Sequence, residues 1–231
     1  MLSSWFPQNL STYGGAIDSL FYFIFYPAVF WFLLAEGLIL YFIIRYYSRG
    51  GRKASYVTGD SLRQASWVLV PGVVVLLLDL GIDFAGTSAY DRVKAEVPQT
   101  DVVVQVVGKQ FNWIFTYPGP DGRFGTEDDL ELENTLHVPV NKPVRLIMKA
   151  EDVIHSFFVP VFRLKQDVLP GREIEAWFEA TQSGEYEIAC AELCGYGHYT
   201  MRGLLTVHEE DSYRAWIESQ WPTETEEQEQ Q

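Results

Sequence analysis

A chain of 231 residues with 48 % hydrophobic content has room for one ordinary folded domain plus a membrane anchor. A formal net charge of −14 argues against nucleic acid as a partner. The two cysteines, Cys190 and Cys194, are too few and too close together to make a disulfide framework. The charge is unevenly placed: residues 1–83 carry five basic and five acidic side chains, whereas residues 84–231 carry 12 basic and 26 acidic. So acidic a second part attracts basic partners and speeds their docking, although solubility alone also accounts for it.

Residues 1–19 are polar and aromatic and read as an extracytoplasmic segment. No basic residue stands near the start, which argues against an ordinary cleaved signal peptide. From Leu20 to Ile44 the chain is almost wholly apolar. At about 1.5 Å per residue this stretch crosses the roughly 30 Å hydrocarbon layer. Pro27 is tolerated where neighbours satisfy the freed backbone groups. Glu36 is costly at that depth and is expected to face protein or water, packing against a partner or handling protons. A second span runs from about Ala65 to Ile82, with Asp79 near its far end. Together they predict a transmembrane hairpin over residues 20–83. The loop between the spans carries Arg45, Arg49, Arg52, Lys53 and Arg63 against Asp60 alone, which places it in the cytoplasm. Both ends then lie outside, in the periplasm of a Gram-negative cell, on a two-pass protein of a bacterial inner membrane.

Residues 84–100 read as a polar linker. From Asp101 onward, short β-branched and aromatic runs alternate with Gly, Pro and Asn. They predict strands at 102–107, 112–117, 135–138, 144–149, 173–180, 185–189 and 203–207, hence a sandwich or barrel. An insertion at 118–129 clusters Asp121, Glu127, Asp128 and Asp129; it reads as a solvated turn, with Ca²⁺ binding the alternative. Tyr213, Trp216 and Ile217 recur at helical spacing and predict a short helix over 210–220, closing a domain of residues 101–221. The tail 222–231 is charged and polar and is expected to be disordered.

The chemistry concentrates in Cys190-Ala-Glu192-Leu-Cys194-Gly-Tyr-Gly-His198-Tyr-Thr-Met201. Thiolates and a thioether beside an imidazole are a copper ligand set. A structural zinc site takes four nitrogen or sulfur ligands, and Met201 does not belong there. A second imidazole is at hand in Asp152-Val-Ile-His155-Ser-Phe. His137 and His208 lack such surroundings, and His208, at a strand end, is expected to face solvent. The plain alternative is a local disulfide or two buried thiols, yet free thiols in an oxidising compartment are liabilities unless paired or metallated.

The pattern Cys-x-Glu-x-x-Cys-Gly-x-x-His-x-x-Met resembles the CuA motif of cytochrome c oxidase subunit II. So do Asp152–Phe157, Leu164-Lys165-Gln166-Asp167 followed by Pro170-Gly171-Arg172, Gly108-Lys-Gln110 before an aromatic cluster, and the two-helix hairpin. The resemblance covers roughly residues 20–210. It implies an all-β, cupredoxin-like Greek-key barrel. It implies that Cys190 and Cys194 bridge two copper ions, that His155 and His198 each bind one, and that Met201 and the Glu192 carbonyl are weak axial ligands. The Glu192 side chain would reach a Mg²⁺ or Mn²⁺ at the boundary with the catalytic subunit. Asp152 and Asp167 are candidates for that interface or for a relay.

The resemblance also implies partners: cytochrome c as donor, a haem–copper catalytic subunit and other oxidase subunits. The family's aromatic docking patch reads here Gln110-Phe111-Asn112-Trp113-Ile-Phe115. The usual tryptophan position is Phe111, with Trp113 two residues on, and both are candidates for accepting the electron. Gln64 stands where many family members have a proton-inlet glutamate. Competing readings are the copper subunit of a nitric oxide reductase and a membrane-anchored copper-delivery module.

Overall fold

The computed structural model describes residues 6–47, 50–51, 53–95, 97–100 and 102–221. Arg49, Arg52 and the tail 222–231 lie outside the described residues. The chain divides into two compact units, residues 16–91 and residues 1–15 with 92–231.

The first unit consists of helices α1 (Gly14–Tyr46) and α2 (Leu62–Tyr90). Both are long and apolar enough to cross a membrane. Large apolar side chains such as Phe30, Leu33, Ile43, Leu69 and Leu77 are exposed along them, as lipid-facing helices require. Helix α2 begins at a proper N-cap: the Ser61 hydroxyl accepts from the Gln64 N–H at 3.4 Å. The Gln64 side-chain oxygen in turn accepts from the Gly59 N–H at 2.8 Å. The helix continues well past the apolar stretch, and a π-helical turn (Asp91–Ala95) follows it, so most of the expected linker is helical. No proline stands between Asp83 and Pro98, and the Thr87 hydroxyl bonds back to the Asp83 carbonyl at 2.9 Å.

Among the described residues, the second unit holds ten strands in two five-stranded sheets. One sheet contains β1 (Val103–Lys109), β2 (Asn112–Tyr117), β3 (Leu130–Glu133), β5 (Pro143–Ala150) and β8 (Ile174–Glu179), in the order β3-β2-β1-β5-β8. The other contains β4 (Thr135–Pro139), β6 (His155–Val159), β7 (Leu164–Val168), β9 (Gly184–Cys190) and β10 (Arg202–His208), in the order β4-β10-β9-β6-β7. Pairing is parallel for β1 with β5 and for β10 with β4, and antiparallel elsewhere. Strict alternation along β1 sends Val104 and Val106 inward. They join Trp113, Phe115, Leu146 and Met148 against Leu136, Phe157, Ile188 and Leu205 of the facing sheet.

The seven predicted strands are all present. β3, β6 and β7 were not predicted. β6 is buried on both faces and so shows no alternation, while β3 and β7 are short and charged edge strands. Helix α3 (Glu210–Gln220) matches its prediction. In the 118–129 insertion, Asp121 and Asp129 accept backbone N–H groups of Arg123 and Gly125, which is the work of turn residues.

The N-terminal segment is part of this unit. Ser11 bridges to Ala180, extending the sheet beyond β8. Leu10 donates to the Val161 carbonyl at 2.8 Å and Thr181 donates to the Leu10 carbonyl at 2.9 Å. The Ser11 hydroxyl reaches the Phe162 carbonyl at 2.8 Å, and the Tyr13 hydroxyl reaches that of Trp177 at 3.2 Å.

His208 does not face solvent as expected. Its Nε2 lies 2.8 Å from Nδ1 of His137, and the Trp216 ring of α3 stacks on His137 at 4.6 Å and 13°. The parallel pairing of β4 with β10 places His137 beside Thr206, two residues before His208 on the same strand, a neighbourhood not visible in the linear order.

Candidate metal centre

Two stretches supply the candidate ligands. β6 opens with His155, and β9 ends on Cys190. The segment 191–201 then loops back to start β10. Backbone hydrogen bonds from Cys190 to the Met201 carbonyl (3.1 Å) and from Ala191 to the Ser156 carbonyl (2.9 Å) pin the loop at its base. A 3-10 turn, His198–Thr200, aims the second imidazole. Gly195 has φ of 135°, in the range that favours glycine.

Cys190 and Cys194 are both unpaired thiols, and their Sγ atoms stand 3.8 Å apart, far beyond the ~2.05 Å of a disulfide. His155 Nδ1 is 4.0 Å from the Cys190 sulfur, and the Glu192 carbonyl is 3.2 Å from it. On the other thiol, His198 Nδ1 is 3.6 Å and the Met201 Sδ 3.7 Å from the Cys194 sulfur. Each sulfur therefore has its own imidazole. The ligand atoms of His155, Cys190 and Cys194 all lie within 4.8 Å of one another. Donors around an ion with bonds of about 2.0–2.3 Å stand roughly 3.3–3.8 Å apart. The Cys190–Cys194, Cys194–His198 and Cys194–Met201 separations fall in that range and the 4.0 Å of His155 lies just beyond it, a donor set that fits metal on softness of ligand and nearly so on distance.

Four of the donors are buried: His155 is 0 % exposed, Met201 1 %, Cys194 4 % and Cys190 8 %, while His198 is half-buried. Burial, and then the neighbouring Cys190, push the Cys194 thiol up to about 11. Without metal that thiol stays protonated near neutral pH, and metal binding must release its proton.

The surroundings orient the ligands. His155 Nε2 meets Asp152 Oδ1 at 2.8 Å. Desolvation works against the Asp152 charge, but hydrogen bonds from the Gln110 and Val153 amides and from His155 outweigh it and hold the carboxyl below its ordinary range. Asp167 accepts from Lys165 at 2.8 Å and from the buried Ser156 hydroxyl at 2.7 Å, and these bonds likewise lower its pKa. The Glu192 side chain is exposed at the rim of the centre.

Of the two aromatic candidates, Trp113 is fully buried, with its ring centroid 6.0 Å from that of His155. Its Nε1 has no hydrogen-bond partner among the described residues. Phe111 is half-buried and packs so closely on Gly197 that a Cβ there would meet its ring at 2.4 Å. Sequence reasoning missed the role of Gln110, whose side-chain N–H donates to the Cys194 carbonyl at 2.6 Å. Only its place in the Gly-x-Gln element marked it.

A two-sheet domain that gathers thiols, imidazoles and a thioether at one end, carried with a two-helix anchor, is a cupredoxin-like membrane protein with a domain outside the bilayer. Residues 102–207 match the family described as cytochrome c oxidase subunit II, periplasmic domain. The chain is 31 % identical to the alternative cytochrome c oxidase subunit 2 of Bradyrhizobium diazoefficiens, over 95 % of this chain and 86 % of that one. It is 30 % identical to the cytochrome c oxidase subunit 2 of Thermostichus vulcanus, over 91 % of this chain and 76 % of that one. Among solved structures, the periplasmic domain of subunit II of cytochrome oxidase of Bradyrhizobium japonicum aligns with 34 % identity and a TM-score of 0.48, covering 54 % of this chain and 96 % of that one. The chain belongs to the cytochrome c oxidase subunit II family.

Proposed function

We propose that this subunit accepts electrons from cytochrome c at a dinuclear CuA centre and passes them to a haem–copper catalytic subunit that reduces O₂. The observation that carries the reading is the pair of free thiols 3.8 Å apart, each with its own imidazole. Cys190 and Cys194 would hold the ions through their thiolates and His155 and His198 through their imidazoles, with Met201 and the Glu192 carbonyl as weaker donors. When bound, the copper pair would supply a one-electron carrier whose potential depends on its weaker donors and on the hydrogen bonds around it. The protein supplies the rest. The burial of His155, Cys190, Cys194 and Met201 keeps water from them, and Asp152 would hold the imidazole proton of His155 on Nε2 so that Nδ1 is free to ligate. A rigid double sheet holds the donors in place, which lowers the cost of each redox change.

The donor would approach Phe111, which lies over the ligand loop, while Trp113 would serve from within the core. The Glu192 carboxylate, exposed in this chain, would reach a Mg²⁺ or Mn²⁺ shared with the catalytic subunit, with Asp152 and Asp167 as further interface or relay groups. The acidic domain favours a basic donor. Residues 7–13 and the β-domain belong to one compact unit, which is consistent with both ends of the hairpin lying on one side of a bacterial inner membrane; with the basic loop in the cytoplasm, the domain would face the periplasm.

The test is to purify the full chain in detergent, load it with copper, count the metal and record optical and EPR spectra. Two coppers and a purple, mixed-valence signal that is lost in Cys190→Ser support the reading. One copper, zinc in its place, or Cu(I) bound without colour overturns it and favours copper delivery. Turnover with NO in place of O₂ in the assembled complex would move the protein to nitric oxide reduction.

A further inference from the structure

The ligands come from two stretches, His155 and residues 190–201, and a third element that holds no ligand touches both. It is the two-residue turn Gln110–Phe111 between β1 and β2, closed by the pairing of Lys109 with Asn112. On the histidine side, the Gln110 backbone N–H donates to Asp152 Oδ2 at 2.7 Å, and the other oxygen of that carboxylate holds His155. Just before the turn, a Cβ on Gly108 would meet the His155 ring at 3.0 Å, so the imidazole packs directly on the β1 backbone. On the cysteine side, the Gln110 side chain donates to the Cys194 carbonyl at 2.6 Å. Phe111 closes over the same loop, where a Cβ on Gly195 would meet it at 3.2 Å and one on Gly197 at 2.4 Å. One residue thus bonds through its main chain to the support of one imidazole, and through its side chain to the backbone of one thiol.

From this juxtaposition we infer that Gln110 is a positioning residue of the metal centre: its carboxamide fixes Cys194 relative to the His155 support before metal arrives. The inference rests on the copper reading for its consequence, but the clasp itself is a property of the metal-free chain. The Gln110 residue is exposed, so the core does not need it. Its value lies in geometry, since supporting groups around a metal typically carry about ten- to a hundredfold in metal affinity.

The test uses the full chain in detergent with Gln110→Glu and Gln110→Met. Both keep the side-chain length and the main-chain bond to Asp152. At neutral pH the first presents only an acceptor to the Cys194 carbonyl, and the second presents no donor. In the metal-free protein, both variants are expected to exchange the amide hydrogens of residues 194–201 faster than the parent, with an unchanged circular-dichroism spectrum. Copper affinity is expected to fall by about tenfold or more, and the hyperfine pattern of the loaded protein is expected to change. Exchange, affinity and spectrum all equal to the parent would overturn the inference. If the parent itself takes up no copper pair, the functional reading fails, while exchange in the metal-free proteins still decides the clasp. Should one variant fail to fold, the other carries the measurement.

Discussion

Asp152 Oδ1 lies 2.8 Å from His155 Nε2, on the far side of the imidazole from the Cys190 sulfur, which lies 4.0 Å from Nδ1. A carboxylate there keeps the proton on Nε2 and makes Nδ1 a better donor. Asp152→Ala is therefore expected to weaken copper binding by about ten- to a hundredfold. It is also expected to raise the reduction potential, because a less basic imidazole stabilises the oxidised centre less. Competition with a chelator and a redox titration check the two effects. An unchanged affinity would remove Asp152 from the support of the centre.

Met201 sits 3.7 Å from the Cys194 sulfur in a fully buried position. Leucine has nearly the same volume, so Met201→Leu is expected to cost less than about 1.5 kcal/mol of domain stability. Two coppers should still bind, with a higher potential, because a weak donor to the oxidised centre is lost. Metal analysis with voltammetry reads both. Loss of one copper would mean that Met201 is more than an axial donor.

The two aromatic candidates separate by burial. Trp113 is in the core, and Trp113→Ala is expected to lower stability by about 3–5 kcal/mol. Phe111 is half-buried over the ligand loop. Phe111→Ala is expected to raise KM for reduced cytochrome c in the assembled oxidase, with a stability change under about 1 kcal/mol. Steady-state kinetics and thermal melts of the two variants test the contrast. A normal KM for the Phe111 variant would place docking elsewhere.

His137 and His208 face each other at 2.8 Å beside Trp216. Burial lowers both pKa values, and for His137 the neighbouring His208 lowers it further. The unfolded chain takes up these protons near pH 6.5, above the folded values. Between the two, the unfolded state holds more protons, so stability falls as pH drops through about 6.5 and is flat above it. The urea midpoint, followed by tryptophan fluorescence, is expected to decline from pH 7 to pH 5, and His208→Gln is expected to flatten that decline.

The N-terminal segment is a working part of the β-domain. Tyr13 is buried, bonds to the Trp177 carbonyl at 3.2 Å and packs edge-on against that ring at 5.1 Å. Tyr13→Ala is expected to cost about 3 kcal/mol, and a domain cut to begin at residue 97 is expected to melt lower than the full chain. Equal melting temperatures would show the strap to be dispensable.

The local patterns carried much of this. The hairpin spans follow from apolar length alone, because a membrane crossing leaves no other way to satisfy twenty apolar residues and their backbone. The alternating strands such as Val103–Lys109 and the helix at Glu210–Gln220 follow from periodicity. The candidate set Cys190, Glu192, Cys194, His198 and Met201 could be read from the sequence because a single loop carries all five, so their spacing survives in one dimension.

Strand β6 was not legible, because burial on both faces erases alternation. Nor was the docking of Ser11 beside Ala180, since backbone pairing is indifferent to side-chain type. His208 was read as solvent-facing because nothing in its own segment reveals His137, which parallel pairing across some seventy residues brings to 2.8 Å. The bond from Gln110 to the Cys194 carbonyl belongs to the same class. Sequence by itself determines which donors exist and the elements that carry them. The distances between donors, and the groups that hold them from behind, are set only when strands remote along the chain come into register.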